Sequence, residues 1–180
     1  LVATLLINLV AFLLVWLLEA NNTATLAPLS TADQMMTAWF QATVPRSSGF
    51  NTLPIHDLNN ATTVLMLLLM FIGGGSLSTA GGIKLGTFVV LLFSTYTFLR
   101  RQEEVRILKR SISQQTVMKA LALTVITMMI IFMGIFLLAA LEHKKSFIDI
   151  AFEVVSAVCT VGLSRGITPE LGDVSKFLLT

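Results

Sequence analysis

Apolar residues run along this chain in long blocks separated by short polar segments, and the block lengths set the elements. Residues 1–18 are apolar apart from Thr4 and Asn8. At about 1.5 Å per residue, such a helix reaches across most of a bilayer core. Trp16 and Glu19 then mark an interface, and residues 21–29 form a polar loop closed by Pro28. Ser30 or Thr31 caps a new helix with Asp33 in its first turn. Met35, Met36, Trp39 and Phe40 give that helix a bulky face, but Pro45 ends it after about three turns. A piece this short does not span and predicts a re-entrant segment. Gly49 permits the turn that follows, and Pro54 opens a helix that enters the membrane near Ala61. That helix meets a glycine-rich break, beyond which a second arm covers residues 85–99. Residues 117–141 are a full span with Lys119 near its start, and residues 148–158 a second short amphipathic helix carrying Asp149. A further glycine turn follows at Gly162, and a final span begins at Phe177.

Composition changes the picture only by naming the solvent. Of 180 residues, 55% are hydrophobic and 12% charged, against about 25% charged in a soluble domain. The chain therefore reads as an integral membrane protein. A net charge of +2 is too small to suggest nucleic acid, and its placement matters more than its sum. Five basic residues fall in residues 100–110, directly beside a span, which assigns that stretch to the cytoplasm. A solvated helix laced by Glu–Arg pairs is a compatible reading of the same stretch. By alternation His143, Lys144 and Lys145 lie outside, a mild break in the charge bias. Cys159 stands alone, which excludes a disulfide framework and a multi-cysteine metal site. Residue 1 lies inside an apolar run without a basic leader, and another run begins at the C-terminal end. Those two ends lead us to expect a part of a longer polytopic protein.

The densest chemical signal is the break itself, Gly73-Gly74-Gly75-Ser76-Leu77-Ser78-Thr79-Ala80-Gly81-Gly82, followed by Ile83 and Lys84. Each glycine costs a helix about 1 kcal/mol relative to alanine, so five in ten residues interrupt the span. Non-helical backbone at membrane depth is tolerated only inside protein or beside a water-filled cavity, which points to a polar path. Two other readings compete. Glycines also permit close helix packing. A phosphate-binding loop needs Gly-Lys-Ser/Thr, whereas Ile83 follows Gly82.

The chain also reads twice: span, short helix, glycine turn, span. Phe40-Gln41 precedes Gly49 by nine residues, and Phe152-Glu153 precedes Gly162 by ten. A short helix aiming its C-terminal end into the membrane presents the negative end of its dipole, which suits a cation. Backbone carbonyls beyond it replace the hydration shell of K⁺ in Thr-Val-Gly-type filters, and Thr160-Val161-Gly162 carries that string.

Taken together, the residue 73–84 segment, Arg46-Ser47-Ser48-Gly49-Phe50-Asn51-Thr52 and Thr160-Val161-Gly162-Leu163-Ser164 resemble the Ktr/Trk/HKT superfamily of cation transporters, with bacterial KtrB-type membrane subunits most similar. The resemblance covers essentially the whole chain, as the C-terminal half of such a subunit. It implies an all-α membrane fold of span–re-entrant pore helix–filter loop–span units. Residues 1–100 would be the third of four pore repeats, 101–113 a cytoplasmic linker, and 114–180 an incomplete fourth. It further implies K⁺ translocation, with no enzymatic step. Filter carbonyls would come from Ser47, Ser48, Gly49, Phe50, Thr160, Val161, Gly162 and Leu163. Gly73, Gly74, Gly75, Ser76, Ser78, Thr79, Gly81, Gly82 and Lys84 would belong to an intramembrane gate. Implied partners are a second copy in a homodimer, a cytosolic nucleotide-binding regulatory ring and membrane lipid, in a plasma-membrane protein with extracellular filter loops. The third filter string departs from the family's more usual Arg-Thr-Ala-Gly-Phe at Ser47 and Ser48. No bound cofactor is implied, K⁺ being cargo and Na⁺ a second candidate ion.

Single residues have simpler readings beside these. Lys84 reads either as an anchor snorkelling to the cytoplasmic interface or as a charge facing the ion path. His56 and Asp57 read as a solvated loop end, Glu153 as a hydrogen-bonding neighbour of the filter, and Cys159 as a structural residue useful as a chemical probe. The eight methionines read as membrane packing. Two rivals remain: an intramembrane enzyme, for which the spans carry no nucleophile–base pair, and an Na⁺-coupled or other secondary transporter with broken helices.

Overall fold

A computed structural model of the chain describes residues 2–46, 49–75, 81–101, 106–107 and 110–179. Ser47, Ser48, Ser76, Ser78 and Thr79 of the expected filter and gate lie outside the described residues. The first unit opens with α1 (Val2–Glu19), an apolar helix that packs along α2 (Thr31–Thr43). Phe12 meets Trp39 edge to face, with ring centroids 5.8 Å apart. Ser30 caps α2: its hydroxyl accepts from the Asp33 amide at 3.3 Å and donates to the Asp33 carboxylate at 2.7 Å. Pro45 lacks the amide that would continue the ladder, and the helix tightens into a 3₁₀ turn at Val44–Arg46. After Gly49 and a second such turn at Ile55–Asp57, α3 (Asn60–Phe71) begins.

The helix stops where the glycines start and resumes as α4 (Leu85–Leu99). Ile72 and Ile83 form a parallel bridge. The chain therefore runs in the same direction on leaving α3 and on entering α4. At about 1.5 Å per residue, α3 and α4 reach roughly 18 and 22 Å, each short of the ~30 Å bilayer core. Only α1 and α5 (Gln114–Leu141), among the described residues, are long and apolar enough to cross singly.

Three expectations need correction. Among the described residues the fold is not purely helical: β1 (Arg106–Ile107) pairs antiparallel with β2 (Arg110–Ser111), where a solvated helix was one reading. Arg101, at φ 54°, turns the backbone out of α4 before that hairpin. The long span α5 starts at Gln114 rather than Val117, because Ser113 accepts from the Thr116 amide at its N-cap. The final helix, α7 (Asp173–Leu179), begins ahead of Phe177.

The second unit repeats the first. The short helix α6 (Phe147–Val158) ends before Gly162, and a 3₁₀ turn at Thr168–Glu170 precedes α7. Gly49, the turn at Ile55 and the start of α3 are spaced as are Gly162, the turn at Thr168 and the start of α7. The core lies between the units, where fully buried Phe152 of α6 packs among Met66, Met70, Val155 and Cys159. Val154 and Ile150 form a second cluster against Leu138 of α5.

Candidate functional site

Each short helix departs from the end at which the preceding long helix stops, and the chain returns there. A carboxylate at the end of each long helix fixes the return, the first of them buried. Glu19, the last residue of α1, is fully buried. Its Oε2 accepts from Asn22 Nδ2 and Thr25 Oγ1, each at 2.7 Å. Its Oε1 accepts from the Asn59 amide at 2.9 Å and from the Thr62 hydroxyl. Four donors and no cation among these contacts surround the carboxylate, so Glu19 is a clamp within the protein. Glu142, just past α5, holds the equivalent place, accepting from the Gly172 amide at 2.9 Å and Ser175 Oγ at 2.8 Å. In both units the donors are the residue before the returning helix and the hydroxyl at its third position. The Gly172 amide first, then Ser175 and nearby Lys145, hold the Glu142 carboxyl below its ordinary value.

Between departure and return lie the two glycine turns, which the fold brings together. Gly49 and Gly162 both adopt the left-handed region, at φ 65° and 83°. A Cβ placed on Gly162 would lie 3.9 Å from the Gly49 Cα, and one on Gly49 would fall 2.5 Å from the Val161 carbonyl oxygen. Val161 and Leu163 are buried, whereas Thr160, Gly162 and Phe50 are exposed. The backbone at these turns thus alternates between packing inward and facing open space.

Glu153 of α6 secures the segment just beyond Gly162. Its Oε1 accepts from Ser164 Oγ at 2.5 Å and the Arg165 amide at 3.0 Å, and its Oε2 from Thr168 Oγ1 at 2.8 Å. The expected hydrogen-bonding role beside the turn is what the geometry displays. Arg165 reaches across to the first unit. Its Nε donates to Asp149 at 2.6 Å and its Nη1 to the Ile55 carbonyl and Thr63 Oγ1, at 3.0 and 2.8 Å. His56 and Asp57 are exposed and 3.3 Å from one another, a solvated turn as expected.

The α6 terminus departs from the usual chemistry. Thr160 donates its amide to Ala157 O and Val161 donates to Ser156 O, both at 2.9 Å. That is the Schellman pattern, in which the left-handed residue is usually glycine. Here it is a β-branched threonine at φ 52°. Such a backbone costs on the order of 1–3 kcal/mol and persists only where its surroundings over-determine it.

The glycine segment docks against this terminus. Gly73 donates to the Ile83 carbonyl at 3.0 Å, and Ile83 donates to Phe71 O at 3.0 Å. The Gly81 amide donates to Thr160 Oγ1 at 2.9 Å. Gly82, at φ 68°, sits where a Cβ would lie 3.3 Å from Cys159 Sγ. On the other arm, buried Arg46 donates to Asn8 Oδ1 at 2.6 Å and to Gly73 O at 3.4 Å. Gly74 accepts from the Leu85 amide at 3.1 Å, Gly75 follows it, and Lys84 is the N-cap residue of α4. Cys159 is buried, which corrects its use as a chemical probe: reagents do not reach the thiol in this arrangement.

Sequence reasoning missed Glu19, Glu142, Arg46 and Arg165 as organising residues. Charges at the edges of apolar blocks were the available signal, but their partners are up to 110 positions away. Among the described residues, no group of three or more His, Cys, Asp or Glu gathers as for a metal ion. The polar surface at the turns is backbone and hydroxyl.

Apolar helices arranged as two like units, each with a short helix followed by a glycine turn, are the plan that positions these residues. The chain belongs to the TrkH family of cation transport proteins, whose pattern matches residues 1–180. It is 45% identical over 179 residues to the Ktr system potassium uptake protein B of Bacillus subtilis, covering 99% of this chain and 40% of that protein. It is 41% identical over 179 residues to the protein of the same name from Vibrio alginolyticus, covering 99% and 39%. Both relatives are named as uptake proteins, not enzymes. The crystal structure of the potassium transporter TrkH from Vibrio parahaemolyticus shares the fold, with a TM-score of 0.78 at 22% identity, over 98% of this chain and 39% of that one. The chain thus spans about 40% of the length of the curated relatives it matches.

Proposed function

We propose that this chain forms two pore repeats of a potassium-translocating membrane protein. The observation that carries the reading is the meeting of Gly49 and Gly162, two left-handed glycines from equivalent turns of two like units. Carbonyls of residues 47–50 and 160–163 line the ion path and replace the hydration shell of K⁺. The out-and-back course of residues 20–59 and 143–172, closed by Glu19 and Glu142, supports re-entrant pore helices. Residues 1–100 and 114–180 serve as the third and fourth repeats of a larger pore, joined by 101–113 on the cytoplasmic side, with the glycine turns opening outward. The potassium uptake proteins similar to this chain support the choice of ion. The whole protein acts as a homodimer in the plasma membrane, regulated by a cytosolic nucleotide-binding ring.

The glycine segment, residues 73–82, is the gate. Its described ends are held by backbone hydrogen bonds from Gly73 to Ile83 and from Leu85 to Gly74, contacts that a moving element can exchange. Deleting residues 74–81 from the full-length protein raises K⁺ flux into liposomes and abolishes the response to the regulatory partner. Unchanged flux and an unchanged response would reduce the segment to packing.

A further inference from the structure

We propose that Thr160 is a latch that holds the gate segment against the end of the pore helix, so that filter and gate move as one coupled unit. The proposal rests on reading residues 73–82 as a gate and adds the contact that sets its docked population. Thr160 stands where a helix-ending glycine belongs, and nothing in that helix-capping geometry calls for a side chain. The residue is exposed, so burial does not explain the choice either. What the side chain supplies is Oγ1, the acceptor for the Gly81 amide across 79 positions of sequence. The bond ties the described end of the segment directly to the end of α6, which gives the contact leverage over the segment's position.

The surface on the Gly81 side is shaped to the same contact. A Cβ on Gly81 would lie 2.5 Å from the Cys159 carbonyl oxygen and 2.8 Å from Thr160 Oγ1. A methyl group at that position therefore pushes the segment off its seat without touching the filter sequence. On the opposite arm Gly73 donates to Ile83 O at 3.0 Å, Gly74 O accepts from Leu85 at 3.1 Å, and Gly73 O accepts from Arg46 at 3.4 Å.

The test uses the full-length protein reconstituted in liposomes without its regulatory partner. Amide hydrogen exchange at Gly81 and K⁺ flux are measured for wild type, Thr160→Val, Thr160→Ser, Gly81→Ala and the Thr160→Val/Gly81→Ala double variant. Valine keeps the shape and removes the acceptor, whereas serine keeps the acceptor. The latch predicts fast Gly81 exchange in the valine variant and slow exchange in the serine variant. It also predicts flux roughly two- to tenfold higher for valine than for serine, the range of one net hydrogen bond. Gly81→Ala raises flux from the other side of the contact, and the double variant gains no more than the larger single change. Equal Gly81 exchange in the valine and serine variants overturns the latch, as does full additivity in the double variant. If valine damages ion passage itself, the exchange measurement still decides. Failure of the gate reading would look different: deletion of residues 74–81 leaves flux unchanged even though Gly81 exchange follows the Thr160 hydroxyl.

Discussion

Gly49 and Gly162 occupy like positions yet differ in what a side chain would meet. A Cβ on Gly49 collides with the Val161 carbonyl at 2.5 Å, whereas one on Gly162 reaches only the Gly49 Cα, at 3.9 Å. Both sites pay the left-handed strain of a non-glycine residue, so the collision separates them. Gly162→Ser in the full-length protein should weaken discrimination of K⁺ against Na⁺ while leaving assembly intact. Gly49→Ala should also lower the folded yield, because the backbone it strikes belongs to the neighbouring turn. Apparent affinities for both ions in an uptake assay, with size-exclusion profiles, check the pair. Wild-type affinities in Gly162→Ser would remove that residue from the ion path. Both glycines were legible in the sequence, since a turn after a short helix needs a residue that tolerates positive φ. The left-handed Thr160 was not, because threonine ordinarily avoids that conformation. Its partner Gly81 lies in a different apolar block, so only the folded chain pairs them.

At the scale of elements, the carboxylate clamps decide where the returning helices start. Replacing Glu19 by Gln turns a pure acceptor into a group with its own N–H donors, facing four others. The expected loss of stability is roughly 1–3 kcal/mol, read as a lower thermal midpoint of the detergent-solubilised protein. Glu142 gives a pH signature. Its carboxyl is held below the ordinary 4.5, chiefly by the Gly172 amide. A lowered carboxyl stabilises the fold above its unfolded value, and that contribution is lost as pH falls through the folded one. The gap in thermal midpoint between wild type and Glu142→Gln should be full at neutral pH and close only below the ordinary carboxylate range. A gap that closes near pH 6 would exclude Glu142 as its source. Helix existence was readable from block length, and the Ser30 cap from its spacing to Asp33. The β1–β2 pair was not readable, because strands this short have no periodicity. The early start of α7 escaped notice for a related reason, since Gly172 and Ser175 look like loop until Glu142 receives them.

For the molecule as a whole, the orientation we propose rests on the basic stretch between the units. Arg100, Arg101 and Arg106 lie beside α4, with Arg100 5.0 Å above the Tyr96 ring. Reversing all three to Glu should weaken attachment of a cytosolic partner or invert the local topology. Labelling of a cysteine placed at Ser111 follows the outcome. Labelling from outside in the unreversed protein would overturn the cytoplasmic assignment. The two-unit plan was visible in the sequence as a repeated order of blocks. How the units join was not, because the Arg165 bridge to Ile55 and Thr63 spans more than 100 positions. The clamps at Glu19 and Glu142 behave in the opposite way, and this bears on how such a chain is made. Glu19 draws every donor from residues 22–62 and Glu142 from residues 172–175, each within its own unit. A unit can therefore close on itself soon after leaving the ribosome, before its neighbour has been synthesised. On that expectation each unit closes as a self-locking hairpin first, and contacts between units, such as the Arg165 bridge, form last.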